Sequence, residues 1–292
     1  MATARQWFEG SRPRTHPAAI APVLAGTGAA AFENAEVWWK AALALVVALA
    51  LQVGVNYAND YSDGIRGTDD ERVGPLRLVG SGIAEPRHVK LAAFAAFGVA
   101  AMVGLVLAVS TAWWLVAVGA LSIVAAWFYT GGKSPYGYHG LGEVMVFVFF
   151  GLVAVMGTTY VQAEEITLAS NWAADGIGAL ACAILVANNL RDIPSDSQVG
   201  KRTLAVVLGD QRTRYLYTFL VVAALVALIG VALDTTAWAL LALVFVLPAS
   251  RGVRIVLGGT TGPGLIPVLA RTGAAELLYG AGIFAGLLIG RA

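Results

Sequence analysis

Nine stretches of this sequence are apolar over roughly the 20 residues that a helix needs to cross a hydrocarbon core. They fall at about 17–32, 37–59, 89–110, 112–130, 142–162, 172–190, 214–233, 236–256 and 265–289. A backbone crossing lipid must satisfy its own hydrogen bonds, which restricts such segments to helices or closed barrels. Barrel strands alternate polar and apolar residues over segments of about ten, and these runs are longer and apolar all round. The expected fold is therefore all-α: a polytopic membrane protein with about nine transmembrane helices around a central cavity. Composition agrees. The 292 residues are 58% hydrophobic and 13% charged, with a mean hydropathy of +0.74, whereas soluble domains carry about 25% charged residues.

Several function classes drop out. The basic residues form no dense cluster with interleaved aromatics, so no nucleic-acid partner is expected. Cys182 is the only cysteine, and the three histidines (His16, His88, His139) are far apart, which leaves no disulfide framework and no zinc or haem spacing. The first sixteen residues are polar and basic and lack the order of a removable secretory signal. The first apolar helix is expected to insert and remain.

Charge in the connections sets an orientation. With the N-terminus in the cytoplasm, 17 of the 19 Lys and Arg lie on the cytoplasmic side, leaving only Lys40 and Arg291 outside. That asymmetry follows the positive-inside rule and predicts a cytoplasmic N-terminus, a C-terminus outside and, for a bacterial chain, the cell inner (plasma) membrane. Trp38, Trp39, Trp113, Trp114, Trp172 and Trp238 fall near outer helix ends and read as interfacial anchors.

The unusual chemistry is confined to two helix ends. Gln52, Asn56, Asn59, Asp60 and Asp63 follow one another at helical spacing at the cytoplasmic end of the second run. The sixth ends in Asn188, Asn189, Asp192 and Asp196, with Pro194 expected to kink or end the helix and leave Asp196 just outside it. The two patterns are 132 residues apart and suggest a weak repeat of halves 37–162 and 172–289 within one domain. Acidic residues inside membrane helices cost energy and are usually kept for function. Asp70, Glu71, Glu85 and Asp210, in contrast, read as solvated loop residues.

Carboxylates brought together either share protons or recruit a cation. Mg²⁺ takes hard oxygen ligands and commonly joins one or two carboxylates to phosphate oxygens. Paired acidic ends flanked by Lys and Arg thus point to a diphosphate held through Mg²⁺.

Four segments carry a family likeness: RPRTHPAAIAPVLAGT near the start, NYANDYSDGIRGTD after the second run, YTGGKSPYGYHGLGE after the fourth and NNLRDIPSDSQVGKRTLAVVLG after the sixth. In that order they resemble the UbiA superfamily of intramembrane aromatic prenyltransferases, and within it the branch acting on 1,4-dihydroxy-2-naphthoate. The resemblance implies a UbiA-type bundle with an acidic cytoplasmic mouth that opens to the lipid bilayer. It implies transfer of a polyprenyl group from polyprenyl diphosphate to the naphthoate, with loss of diphosphate and CO₂, giving demethylmenaquinone. It further implies that Asn59, Asp63, Asp192 and Asp196 hold the metal, with Asp60 and Asp69 as further ligands. Lys201, Arg202, Lys133 and Arg12 would grip the diphosphate, Asn56 and Asn188 would line the substrate site, and Tyr129 would stand near the reacting carbon. One departure is Gly67, which stands where the broad pattern repeats an acid; Asp69 and Asp70 follow it. Two alternatives stay open: a different aromatic acceptor, or a secondary transporter built from repeated halves.

Overall fold

A computed structural model describes residues 2–67 and 76–291. The expected ligand Asp69, together with Asp70 and Glu71, lies outside the described residues. Among the described residues there is no strand, and all nine apolar runs form helices. We label these α1 (Pro17–Phe32), α2 (Trp38–Arg66), α3 (Pro86–Ser110), α4 (Leu115–Phe128), α5 (Gly142–Ala163), α6 (Leu168–Gln198), α7 (Asp210–Asp234), α8 (Ala237–Leu257) and α9 (Ile266–Gly290). Seven are long and apolar enough to cross a membrane, and α1 and α4 are shorter apolar helices.

The central pillar is α6. In its most apolar window 78% of the residues are buried, against 28–44% in the six other spanning helices. Its sequence explains the difference. The stretch ADGIGALACA (174–183) carries small residues over three turns, and small residues let membrane helices approach until their backbones touch. A Cβ on Gly151 of α5 would fall 2.7 Å from the Ala174 carbonyl oxygen and 2.8 Å from Gly178 Cα on α6. The remaining helices present Leu, Val, Phe and Met outward, among them Met102, Leu121, Phe219 and Leu247. That is the surface a hydrocarbon solvent selects.

Three local features depart from expectation. First, α6 continues past Pro194 to Gln198, so Asp196 lies within the helix. Proline removes one ladder bond there, but Ser195 Oγ donates to the Asp192 carbonyl at 3.0 Å and Ser197 Oγ to that of Ile193 at 2.7 Å, so the turn keeps other partners. Second, Trp172 is half-buried where the other five outer tryptophans are exposed. Its indole packs over Gly230 and donates to Asp234, while Trp38, Trp39, Trp113, Trp114 and Trp238 stay exposed. Third, α5 winds as a π-helix from Phe147 to Met156, a rare form that is frequent at functional sites. Here it supplies Phe149, Phe150, Val153 and Ala154 to a cavity wall.

Candidate active site

The polar end of α2 sends each residue to a different task, because successive side chains on a helix point about 100° apart. Gln52 Nε2 and Asn56 Nδ2 each donate to Thr15 Oγ1 at 2.9 Å, and Asn56 also donates to the Ser11 carbonyl at 2.9 Å. These amides clasp the loop before α1, in which Arg12 adopts a left-handed backbone with φ of 54°. Arg12 thereby lines the polar cavity. Asn59 accepts from Thr130 Oγ1 at 2.7 Å.

Asp60 does something other than the expected metal ligation. It is fully buried, lines neither cavity, and accepts the backbone N–H groups of Leu78 at 2.7 Å and Val79 at 3.1 Å. A carboxylate one residue from a cavity-facing Asn59 points round the helix, and the amides of the next loop are what it meets. With Leu78 buried against Tyr57 and Phe97, this anchor brings Arg77 over the mouth. Arg77 Nη2 stands 3.7 Å from Asp63 Oδ2, and Tyr138 Oη donates to Asp63 Oδ1 at 2.8 Å.

The end of α6 is ion-paired in the same way. Arg191 is buried and grips Asp192 with two bonds, Nε to Oδ1 at 2.6 Å and Nη2 to Oδ2 at 2.7 Å, while Nη2 also donates to Asn188 Oδ1 at 2.9 Å. Lys201 Nζ lies 3.6 Å from Asp196 Oδ1.

Tyr138 joins the two ends. Besides its bond to Asp63, its ring has the Arg66 guanidinium at 5.4 Å and the Lys201 ammonium at 5.1 Å, and its carbonyl accepts the Arg202 N–H at 3.0 Å. Arg66 in turn donates to the carbonyls of Thr130 and Gly132. Cations over an aromatic face are held by the ring quadrupole, worth about 0.5–2 kcal/mol according to desolvation. By contrast, Lys133 and Arg202 are exposed and line neither cavity. Lys133 follows a turn at Gly132 (φ 78°), and Arg202 is exposed while its neighbour Lys201 lines the polar cavity.

Two cavities meet here. A polar one of about 750 Å³ is lined by Arg12, Arg14, Asn59, Asp63, Arg77, Arg191 and Lys201. An apolar one of about 350 Å³ runs between α1, α2, α3, α4 and α5, past Val23, Leu107, Val118 and Val161. They share Ala18, Gln52, Asn59, Tyr129, Val146 and Phe150, so Tyr129 stands at the junction. Its ring meets that of Tyr136 edge-on at 5.6 Å, and Tyr136 Oη donates to the Ala125 carbonyl at 2.8 Å. Burial pushes the Tyr136 phenol up, keeping it protonated.

Among the described residues no three acidic, histidine or cysteine side chains stand close enough to chelate a metal. Asn59 and Asp63 offer hard oxygens to the polar cavity, whereas Asp192 and Asp196 line neither cavity and meet it through their partners Arg191 and Lys201. An amide oxygen and a carboxylate at the cavity fit a Mg²⁺-type ion that takes one or two carboxylates and completes its shell with phosphate oxygens. Arg77, Arg191 and Tyr138 were not singled out from sequence. They sit in loops or beside a motif, where no period marks them.

The fold and site define an all-helical, multi-pass membrane protein with a cation-rich acidic mouth opening onto an apolar cavity. The chain belongs to the UbiA prenyltransferase family, whose model matches residues 19–260. It is 56% identical over 291 residues to the 1,4-dihydroxy-2-naphthoate octaprenyltransferase of Mycobacterium tuberculosis, covering 100% of this chain and 99% of that protein. It is 40% identical to the protein of the same name from Escherichia coli, over 76% of this chain and 74% of that one. Among solved structures, a UbiA homolog from Aeropyrum pernix superimposes with a TM-score of 0.74 at 16% identity, covering 92% of this chain and 97% of that one. A UbiA homolog from Archaeoglobus fulgidus, bound to DMAPP and Mg²⁺, gives 0.69 at 16% identity over 97% and 99%. At that identity the last two speak for the fold alone.

Proposed function

We propose that this protein transfers a polyprenyl group from polyprenyl diphosphate to 1,4-dihydroxy-2-naphthoate, releasing diphosphate and CO₂ and giving the hydroquinone demethylmenaquinol, which a separate two-electron oxidation converts to demethylmenaquinone. The observation that carries the reading is the junction of a charged cavity with an apolar one at Tyr129. A prenyl diphosphate has the same two-part chemistry, and its allylic carbon is the atom between the parts. The names of the curated relatives supply the acceptor.

In this reading Arg12, Arg14, Arg77 and Lys201 bind the diphosphate. Asn59, Asp63, Asp192 and Asp196 would hold Mg²⁺, which neutralises the charge that develops on the leaving diphosphate. The Tyr129 ring faces the allylic carbon as positive charge grows there, the arrangement a π-face favours. The C–O bond to diphosphate breaks and a C–C bond forms to the naphthoate ring. Where the attacked ring carbon carries the carboxylate, the electron pair of the departing CO₂ restores aromaticity and no strong base is needed. The distribution of Lys and Arg supports placing the mouth and N-terminus in the cytoplasm, the C-terminus outside, and the chain in the inner (plasma) membrane.

The test is prenylation by purified protein given Mg²⁺, labelled prenyl diphosphate and either the naphthoate or 4-hydroxybenzoate, with products read by mass spectrometry. Asp63→Asn and Asp192→Asn should each lower transfer to the naphthoate by roughly 100-fold or more, the scale of losing one preorganised electrostatic group. Full activity in both variants would remove these residues from the reaction.

A further inference from the structure

Asn189 and Glu143 are used neither by the diphosphate site nor by the tail cavity. Asn189 is 5% exposed, and what it exposes faces the polar cavity. Its Nδ2 donates to Glu143 Oε1 at 3.0 Å. Glu143 is itself buried at the first turn of α5, and its carbonyl accepts from Cys182 Sγ at 3.0 Å, one further tie between α5 and α6. An amide whose NH₂ is committed to a carboxylate has its orientation fixed. With Nδ2 held against Glu143, the other end of the amide is its oxygen, an acceptor.

An acceptor is wrong for a diphosphate, which carries only lone pairs and negative charge at this pH, and right for a hydroxyl. The neighbouring Asn188 shows the contrast: its oxygen already serves Arg191 and its amide group faces Asp192, so it belongs to the charged end. Position agrees as well. A Cβ on Gly142, next to Glu143, would lie 3.3 Å from Leu185 Cδ2 and 3.5 Å from Tyr129 Oη. Leu185 is one turn from Asn189 on α6 and lines the same cavity. Asn189 thus shares the wall of the polar cavity with Leu185 and Tyr129, and Tyr129 lines the apolar cavity as well.

We infer that Asn189, oriented by Glu143, recognises a ring hydroxyl of the aromatic acceptor and sets the preference for a hydroxylated ring. This rests on the prenyltransferase reading above. Asn189 touches the acceptor in this assignment. Glu143 is a positioning residue, acting by denying the amide its other orientation.

The full chain in nanodiscs is assayed with Mg²⁺, prenyl diphosphate, and either 1,4-dihydroxy-2-naphthoate or its two mono-O-methyl ethers. Wild type should disfavour at least one ether by roughly ten- to a hundred-fold in kcat/KM, the span expected when a buried hydrogen-bonding group is left without its partner. Asn189→Leu should raise the KM of the naphthoate by a similar factor, abolish the preference against that ether, and leave the KM of the prenyl diphosphate within about twofold. Glu143→Leu should weaken the preference, and Glu143→Gln, which still offers an oxygen to Nδ2, should restore it. If Asn189→Leu fails to fold, Asn189→Ala reads the same preference. A preference that survives substitution of Asn189, or equal loss toward both substrates, would overturn the assignment. An inert wild type overturns the prenyltransferase reading instead.

Discussion

Tyr138 is the residue on which the geometry of the mouth most depends, because it contacts both acidic ends while belonging to neither. Its hydroxyl serves Asp63 and its ring serves Arg66 and Lys201, so the two functions separate by substitution. Tyr138→Phe keeps the ring and should raise the Mg²⁺ concentration for half-maximal activity only a few-fold. Tyr138→Leu also releases both cations, and should raise the KM of prenyl diphosphate by roughly tenfold as well. A Mg²⁺ titration against each variant, with folding checked by thermal denaturation, reads the difference. The reason sequence reasoning reached Asp63 and passed over Tyr138 is physical. Asp63 lies in a helix, where spacing reveals a face, whereas Tyr138 and Arg77 lie in loops whose course is set by tertiary contacts. Asp60 shows the converse: its type and spacing suited a metal site, and only the folded-back Leu78–Val79 turn shows what occupies it.

At the level of helices, the apolar period was enough to find all nine, since length and hydropathy decide spanning segments almost alone. Ends were less legible. Where α6 continues through Pro194, neighbouring serines bond to its carbonyls, and Trp172 packs over Gly230 of a helix far along the chain. Glycines divide by what surrounds them. A Cβ on Gly282 of α9 would come within 2.3 Å of Ala242 Cα on α8, and backbone does not yield as a side-chain tip does. Gly282→Val should therefore cost about 1–3 kcal/mol by overpacking and lower the melting temperature in detergent by several degrees. Gly119 of α4 has nothing within 4 Å of its Cβ position and lines the apolar cavity. Gly119→Leu should leave the melting temperature unchanged and instead reduce kcat/KM for long prenyl diphosphates more than for short ones. Equal effects on both lengths would show that the tail takes another course.

Across the whole molecule, the last helix is fastened to the first connection: Arg291 is paired with Glu36 between α1 and α2. A backbone hydrogen bond and then the Arg291 guanidinium hold the Glu36 carboxyl below its ordinary 4.5. A depressed carboxyl stabilises the folded state above its unfolded value, and that stabilisation is lost as pH falls through the lowered folded value. Amide exchange in the last turn of α9 should accordingly rise at pH below about 4, and Arg291→Ala should show the same rapid exchange already at pH 7. Exchange unaltered by either change would mean the turn is held by packing alone. Seventeen basic residues give the bundle an expected orientation, but the pairing of its two ends was not legible, because residues 36 and 291 share no pattern.

The loop bearing Tyr138 lies between the two acidic helices in chain order as well as in space. A chain emerging from the ribosome inserts Asp63 and Arg77 long before Asp192, Asp196 and Lys201 exist, and the loop that ties them waits for its second partner. On the proposed assignment, an incomplete nascent chain has half a mouth and lacks the residues that would complete the diphosphate site. The same assignment gives the chain its capacity to break an allylic diphosphate only when α6 and the residues after it are in place, which would confine that reactive step to finished molecules.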